Sequence, residues 1–276
     1  MSFIYCLNTS TIGPQPLMEK IRLAGKHGFA GIELWHDDVF AYVEQGGTVA
    51  DVNKAVADEG LIVPCTIAMK GWCEASDDEY STVLEDVKRR MNLAAELGSP
   101  YIVATPAHVP VDYAIIKRRY KELLELGREI GVKPTFEYLG FCVSVYRIDQ
   151  ALEIVTAVDD PDATILLDAF HNYRGGSTFD DLTKVPLHLI GHYHLDDAPA
   201  DPPREQQRDP DRVMPGDGIL DLAAEIQWLR DVGYDKDSGT GGGRTISLEL
   251  FNPGLWEKDP DEVLALGMER MKELLG

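Results

Sequence analysis

A closed α/β barrel of eight parallel strands, each followed by a helix, is the fold that the sequence predicts. The length of 276 residues suits one such barrel, with residues 1–276 as a single domain. Eight short apolar, β-branched runs alternate with helix-patterned segments from one end of the chain to the other. The first run is followed by Asn8 to Pro14 rather than by Gly-x-Gly-x-x-Gly, which disfavours an open dinucleotide-binding sheet.

Hydrophobic periodicity places the elements in chain order. Helical spacing is clear, for example, at Leu84, Val87, Met91 and Ala94. Several helices should end at a glycine, because the turn from helix to strand requires one. The predicted strands are Ile4 to Thr11, Gly31 to His36, Ile62 to Met69, Tyr101 to Pro106, Pro134 to Leu139, Thr164 to Phe170, Leu189 to Leu195 and Thr245 to Phe251. The helix-terminating glycines are Gly28, Gly60, Gly98, Gly131 and Gly233.

Composition excludes several classes of function. The 26 basic and 47 acidic residues give a formal net charge of -21, which opposes binding to a phosphate backbone, so we expect no nucleic-acid partner. No run approaches the roughly 18 apolar residues of a membrane span, and the amino terminus lacks the pattern of a secretory signal. The four cysteines are scattered, which favours free thiols in a cytoplasmic protein. We expect the protein to be a monomer or a homodimer.

Two loops differ from simple turns. The glycine-rich run from Asp235 to Arg244 has the composition of a phosphate loop, but it precedes a strand and should therefore lie at the face of the barrel away from the chemistry. We interpret it as a flexible insertion. The segment from Ala198 to Leu220 follows the seventh strand and is too long for a plain turn, so we expect it to cover the active-site mouth.

Acidic residues interrupt apolar runs at the carboxyl ends of the predicted strands, where barrel active sites lie. Three carboxylates brought together in a barrel interior need a positive partner. The strand-end segments contain no Lys or Arg, although loop arginines could reach in from Arg147, Arg174 or Arg212. A divalent cation satisfies the charges better, and two or three oxygens with one imidazole suit Mn²⁺, Mg²⁺, Co²⁺ or Zn²⁺. The candidate ligands are Glu137, Asp168, His194 and Glu249.

The seventh strand carries the imidazole. Alternate residues of a strand share a face, so His192, His194 and Asp196 should point together. Alone, this pattern is typical of a metal-ligand face or of a buried polar ladder. With the carboxylates of adjacent strands, it favours His194 as the ligand and His192 as a packed residue, while Asp196 should begin the variable loop.

At these residues the chain resembles the xylose-isomerase-like barrel superfamily of sugar isomerases and epimerases, and within it the inosose isomerases (2-keto-myo-inositol isomerase). The resemblance covers nearly the whole chain and is strongest in the second half. The segments that carry it are Lys26 to Glu33, Phe136 to Gly140, Leu167 to His171, Tyr193 to Asp197, Asp211 to Gly218 and Ser247 to Phe251.

The resemblance implies the same four metal ligands and a metal-dependent isomerase or epimerase of a polyhydroxy ketone, an inosose or keto-sugar. We expect this ketone to be unphosphorylated, because no strand end is followed by a clear glycine-rich phosphate cradle or Lys/Arg cluster. The resemblance also implies Glu137 and Glu249 as the acid and base that move a proton through a cis-enediolate. His171 and Arg212 would contact substrate oxygens, and Glu33 would lie in the pocket. Residues at other strand ends could either shape the pocket or pack in the core: Trp35, His36, Trp72 and His108.

Other functions remain open at this stage. A lyase or dehydratase could use the same site if the enediolate expelled a β-substituent, and a sugar-binding barrel would bind a ligand without turnover. A nuclease like endonuclease IV is disfavoured by the acidity and by the few strand-end histidines. Two segments depart from the inosose-isomerase pattern, Asp197 to Arg212 and the glycine-rich insertion, and the first of them leaves the substrate open.

Overall fold

Eight parallel strands close into a barrel in chain order, so that each strand pairs with its sequence neighbours and the first pairs with the last. The computed structural model describes residues 3–236 and 244–276. The predicted fold is confirmed. The strands are β1 (Ile4–Asn8), β2 (Gly31–Trp35), β3 (Cys65–Met69), β4 (Tyr101–Ala104), β5 (Lys133–Phe136), β6 (Thr164–Asp168), β7 (Ile190–Leu195) and β8 (Thr245–Leu248).

The strands are shorter than the apolar runs because side chains cap the backbone at the barrel mouth. The predicted first strand ends at Asn8, whose side chain accepts a hydrogen bond from Ser10 N and begins a 3-10 helix, Thr9–Ile12. The predicted sixth strand ends at Asp168, whose carboxylate accepts from His171 N at 2.6 Å and begins the next helix. These caps compete with strand pairing for the same backbone groups.

Helices surround the barrel and bury their apolar faces against it. In the helix Tyr113–Ile130, for example, Ile116, Tyr120 and Leu123 are fully buried. All five glycines predicted to end helices have positive φ, between 68° and 95°. The helices are α1 (Leu17–Lys26), α2 (His36–Glu44), α3 (Val49–Asp58), α4 (Asp77–Glu96), α5 (Tyr113–Ile130), α6 (Ile148–Val158), α7 (Ala169–Gly175), α8 (Phe179–Leu182), α9 (Leu222–Asp231), α10 (Pro253–Trp256) and α11 (Pro260–Leu275).

The long segment after β7 is organised by one buried carboxylate. Asp197 accepts hydrogen bonds from four backbone N–H groups, at Ala198, Gly216, Gly218 and Leu220, with lengths of 2.8 to 3.1 Å. These bonds hold both ends of the segment together, and its middle part folds over the barrel mouth as predicted, since Asp209 and Arg212 line the central cavity.

Two further expectations concern the cysteines and the glycine-rich insertion. All four cysteines are free and buried, as predicted. The glycine-rich run predicted as a flexible insertion falls mostly on residues 237–243, which lie outside the described residues. Within residues 3–236 and 244–276, none of the helices has the length and apolar character needed to cross a membrane.

Candidate active site

Three predicted ligands meet at the carboxyl ends of β6, β7 and β8. Asp168 pairs in register with His194, and His194 pairs with Ser247, two residues before Glu249. His194 Nδ1 lies 2.9 Å from Glu249 Oε2 and 3.6 Å from Asp168 Oδ2. One ligand atom from each residue lies within 4.8 Å of the others, and all three side chains are buried. We call Asp168, His194 and Glu249 the ligand trio.

The ligand trio fits a divalent cation by its donor set and by one unsatisfied atom. Two carboxylates and one imidazole are common ligands of such ions. His194 Nδ1 is buried and makes no hydrogen bond of acceptable geometry within the described chain, although it lies close to Glu249. Burial lowers the pKa of His194, but the carboxylates of Glu249 and Glu33 raise it well above the ordinary range. A bound cation would replace this proton between imidazole and carboxylates.

The fourth predicted ligand, Glu137, lines the same cavity as Glu249 but stands apart from the ligand trio. It follows β5, is 7% exposed, and lines a cavity of about 170 Å³ together with Glu249 and His171. It does not belong to the group of ligand atoms within 4.8 Å of one another. Burial and then the Glu249 carboxylate raise the pKa of Glu137 to about 8, so without a cation this side chain holds a proton at neutral pH.

Arg212 reaches the centre of the site from the long segment. Its Nη1 donates to Asp168 Oδ2 and to Glu249 Oε2, at 2.9 Å each, and its Nη2 donates to Asp209 at 2.7 Å. Arg212 and Asp209 therefore form an ion pair within the long segment. Pairing of the strand-end acids with an arginine, which the sequence argument ranked below a cation, is therefore also present.

The guanidinium sets the charge of its neighbours. Burial raises the pKa of Asp168, but the charge of Arg212 outweighs burial and holds this pKa well below the ordinary value. Burial also lowers the pKa of His171, so a neutral imidazole can accept a hydrogen bond from Arg212 Nη2, which lies 3.0 Å from His171 Nε2. His171 and Arg212 both line the cavity, where the resemblance expected substrate contacts.

Glu33 lies behind the ligand trio rather than in the cavity. It is fully buried, and its Oε2 lies 2.9 Å from His194 Nε2, on the side of the ring opposite Nδ1. His192 Nε2 lies 3.4 Å from Glu33 Oε1, so His192 packs beneath His194, as predicted. Glu33 was expected in the pocket, but it is not part of the cavity wall, and its carboxylate instead orients the imidazole of His194.

Two polar residues make contacts at the site that the sequence did not predict. Asn8 Nδ2 donates to Glu33 Oε2 at 2.7 Å and to Glu249 Oε1 at 2.8 Å, so it fixes both carboxylates. Its position at the end of the first predicted strand could have marked it. Asp196 begins the long segment after β7, as expected, and it is fully buried, accepts a hydrogen bond from Phe170 N at 2.7 Å and contacts the Arg212 guanidinium.

For four tryptophan and histidine residues, the sequence did not decide between a place in the pocket and a place in the core. Two of them line the cavity. Trp35 and His108 contribute to its wall. Trp72 is fully buried and donates its indole N–H to Thr105 O at 2.9 Å, and His36 is buried at the start of α2. Neither Trp72 nor His36 reaches the cavity wall.

Comparison with known proteins agrees with this geometry. The chain is 26% identical to inosose isomerase from Bacillus licheniformis, over 98% of this chain and 97% of that protein. Other inosose isomerases match at similar identity, which confirms the prediction of an isomerase. A 3-dehydroshikimate dehydratase from Pseudomonas putida is 24% identical over 86% of this chain and 36% of its own length.

Among solved structures, the IOLI protein with a bound zinc atom has a TM-score of 0.88 at 25% identity, over 100% of this chain and 98% of that chain. The family model described as "Xylose isomerase-like TIM barrel" matches residues 21–274, which is most of the sequence. With the barrel topology and the polar strand ends, this match shows that the chain belongs to the xylose isomerase-like TIM barrel family.

Proposed function

We propose that this isomerase converts an unphosphorylated polyhydroxy ketone of the inosose type into an isomeric ketone. We propose further that the reaction depends on one divalent cation, Mn²⁺, Mg²⁺, Co²⁺ or Zn²⁺. The observation that carries the proposal is the ligand trio, whose member Glu249 lines the cavity that Glu137 also lines. Glu137 would complete the ligand set. The names of the inosose isomerase relatives and the zinc in the IOLI structure support the substrate class and the cation.

The cation, when bound, would polarise the ketone carbonyl and acidify the neighbouring C–H. Glu249 follows β8, Glu137 follows β5, and both side chains line the cavity. These two carboxyl groups exchange the proton with the substrate carbon next to the carbonyl. Asn8 and Arg212 donate hydrogen bonds to Glu249 and fix its position. Return of the proton to the neighbouring carbon moves the carbonyl, whereas return to the opposite face of the same carbon gives an epimer.

Charge that develops on the substrate oxygens needs donors at the cavity wall. Arg212 and His171 meet there, with 3.0 Å between Nη2 and Nε2. The guanidinium is already held by Asp209, which also lines the cavity, so little reorganisation accompanies the reaction. These contacts favour stabilisation of a cis-enediolate of the substrate.

A dehydratase is the second candidate, and the 3-dehydroshikimate dehydratase relative favours it. Both reactions begin with removal of the proton next to a ketone. They differ in the next step, because the dehydratase expels a β-hydroxyl as water, whereas the isomerase returns the proton.

The product mass separates the two candidates. We expect the metal-loaded protein to convert 2-keto-myo-inositol into a product of unchanged mass, and to leave 3-dehydroshikimate intact, as measured by mass spectrometry. Loss of water from either compound would contradict the proposal and support the dehydratase. Cation-dependent binding of the inosose without conversion would also contradict it and would indicate a sugar-binding barrel.

A further inference from the structure

A second cavity, of about 400 Å³, lies beside the reacting cavity at the same mouth of the barrel. Residues at the end of β2 and in the segments and helices that follow β1, β2 and β8 form it. The two cavities share the side chains of Trp35 and Phe251, whose rings meet edge to face at 5.7 Å. A molecule that is bound in the reacting cavity therefore has this second space next to it, beyond one pair of aromatic rings.

The aromatic walls of the second cavity are fixed by hydrogen bonds at their edges. Trp35 Nε1 donates to Asn8 Oδ1, and Trp256 Nε1 donates to Ser10 O, each at 2.9 Å. Gly13 lies against the Trp256 ring, and a Cβ at this position would come within 3.1 Å of it. Because both indole N–H groups already donate hydrogen bonds, the orientation of the rings is fixed. The surface that they contribute to the cavity wall is therefore apolar.

The polar groups of the second cavity favour an uncharged, hydroxylated ligand. Lys20 is 3% exposed, but Asp38 Oδ2 lies 2.7 Å from its Nζ and neutralises it. The second carboxylate of the wall, Asp37, is neutralised by Arg90 at 2.9 Å. Ser10 is 6% exposed, and its Oγ has no hydrogen-bond partner among the described residues. A buried hydroxyl without a partner is costly. Ser10 lines the second cavity, and a ligand hydroxyl there would be the partner of this Oγ once the side chain turns toward it.

We propose that the second cavity is a subsite for a sugar ring that is linked through oxygen to the ring that reacts. Sugar rings present C–H faces, which pack on indoles, and hydroxyls, which pair with groups such as Ser10 Oγ. The natural substrate is then a glycoside of a keto-cyclitol or keto-sugar, with the keto ring near the ligand trio. This inference rests on the proposed function and deepens it.

The test compares a one-ring and a two-ring ligand, neither of which reacts. Isothermal titration calorimetry of the metal-loaded protein would use myo-inositol and its galactoside, galactinol. We expect galactinol to bind about tenfold more tightly, since the second ring covers apolar indole surface. Trp256→Ala should remove most of this difference. Ser10→Ala, which changes less structure, should reduce it about fivefold through loss of one hydrogen bond.

A matched control is Phe179→Ala, which removes a half-exposed aromatic ring at the start of α8, away from both cavities. It should leave the affinity ratio of the two ligands unchanged. Equal affinities in the wild-type protein, or a ratio that survives both Trp256→Ala and Ser10→Ala, would overturn the subsite.

Turnover of 2-keto-myo-inositol, measured separately, distinguishes the two proposals. Turnover without a preference for galactinol would refute the subsite alone. A preference for galactinol without turnover would refute the proposed function alone. If neither ligand binds and the inosose is not converted, both proposals fail.

Discussion

Glu249→Gln is expected to lower kcat for the inosose by about 10²- to 10⁴-fold, the usual contribution of a positioned acid or base. Glu249 belongs to the ligand trio and lines the reacting cavity, so the amide would remove a proton acceptor and weaken a cation ligand together. The amide keeps the shape of the side chain. Steady-state kinetics at saturating metal would measure the loss.

Glu269→Gln is the control for this substitution, because Glu269 is an exposed glutamate on α11. Its kcat should equal that of the wild-type protein. Circular dichroism would establish that both variants fold. Wild-type turnover in folded Glu249→Gln would remove Glu249 from the mechanism and, with it, the main argument for a proton transfer at this cavity.

Arg212→Met is expected to lower the free energy of unfolding of the metal-free protein by about 3–5 kcal/mol, the usual result of breaking a buried ion pair. The guanidinium contacts the carboxylates of Asp168 and Glu249, and its removal leaves these two buried acids with only the protonated His194 as a positive partner. A divalent cation would supply the missing charge. Added metal should therefore raise the urea midpoint more in the variant than in the wild-type protein.

Arg22→Met is the control, because Arg22 is an exposed residue of α1 that pairs with Glu19 at the surface. Such pairs contribute about 0–1 kcal/mol. Its urea midpoint should stay close to that of the wild-type protein, with and without metal. If Arg212→Met unfolds at the wild-type urea concentration in metal-free buffer, the acids at the centre of the site do not depend on Arg212 for their charge balance.

The sequence predicted the parts of the site that depend on strand pattern. Asp168, His194 and Glu249 stand at the carboxyl ends of predicted strands, and parallel closure of the barrel brings such positions together. The same rule could have marked Asn8, which ends β1 and pairs in register with Glu33. It misplaced Glu33, because the pattern shows which residues share a strand but not how deep each lies in the barrel.

Positions in irregular segments could not be predicted in this way. Arg212 reaches the site because Asp197 gathers backbone N–H groups from both ends of the long segment, and no periodicity marks that path. The partner of the buried Asp196 is Arg212, which lies in that same irregular segment. The second cavity depends on three loops that meet at Trp35 and Phe251, residues far apart in the sequence.

The most direct test of a cation-dependent proton transfer is hydrogen exchange on the substrate. The protein would be stripped with a chelator, its metal content measured, and 2-keto-myo-inositol incubated in D₂O with the stripped and the metal-loaded forms. Proton NMR should show exchange next to the carbonyl with the metal-loaded protein and none above the uncatalysed rate with the stripped protein. Exchange at the same rate in both forms would contradict the proposed mechanism.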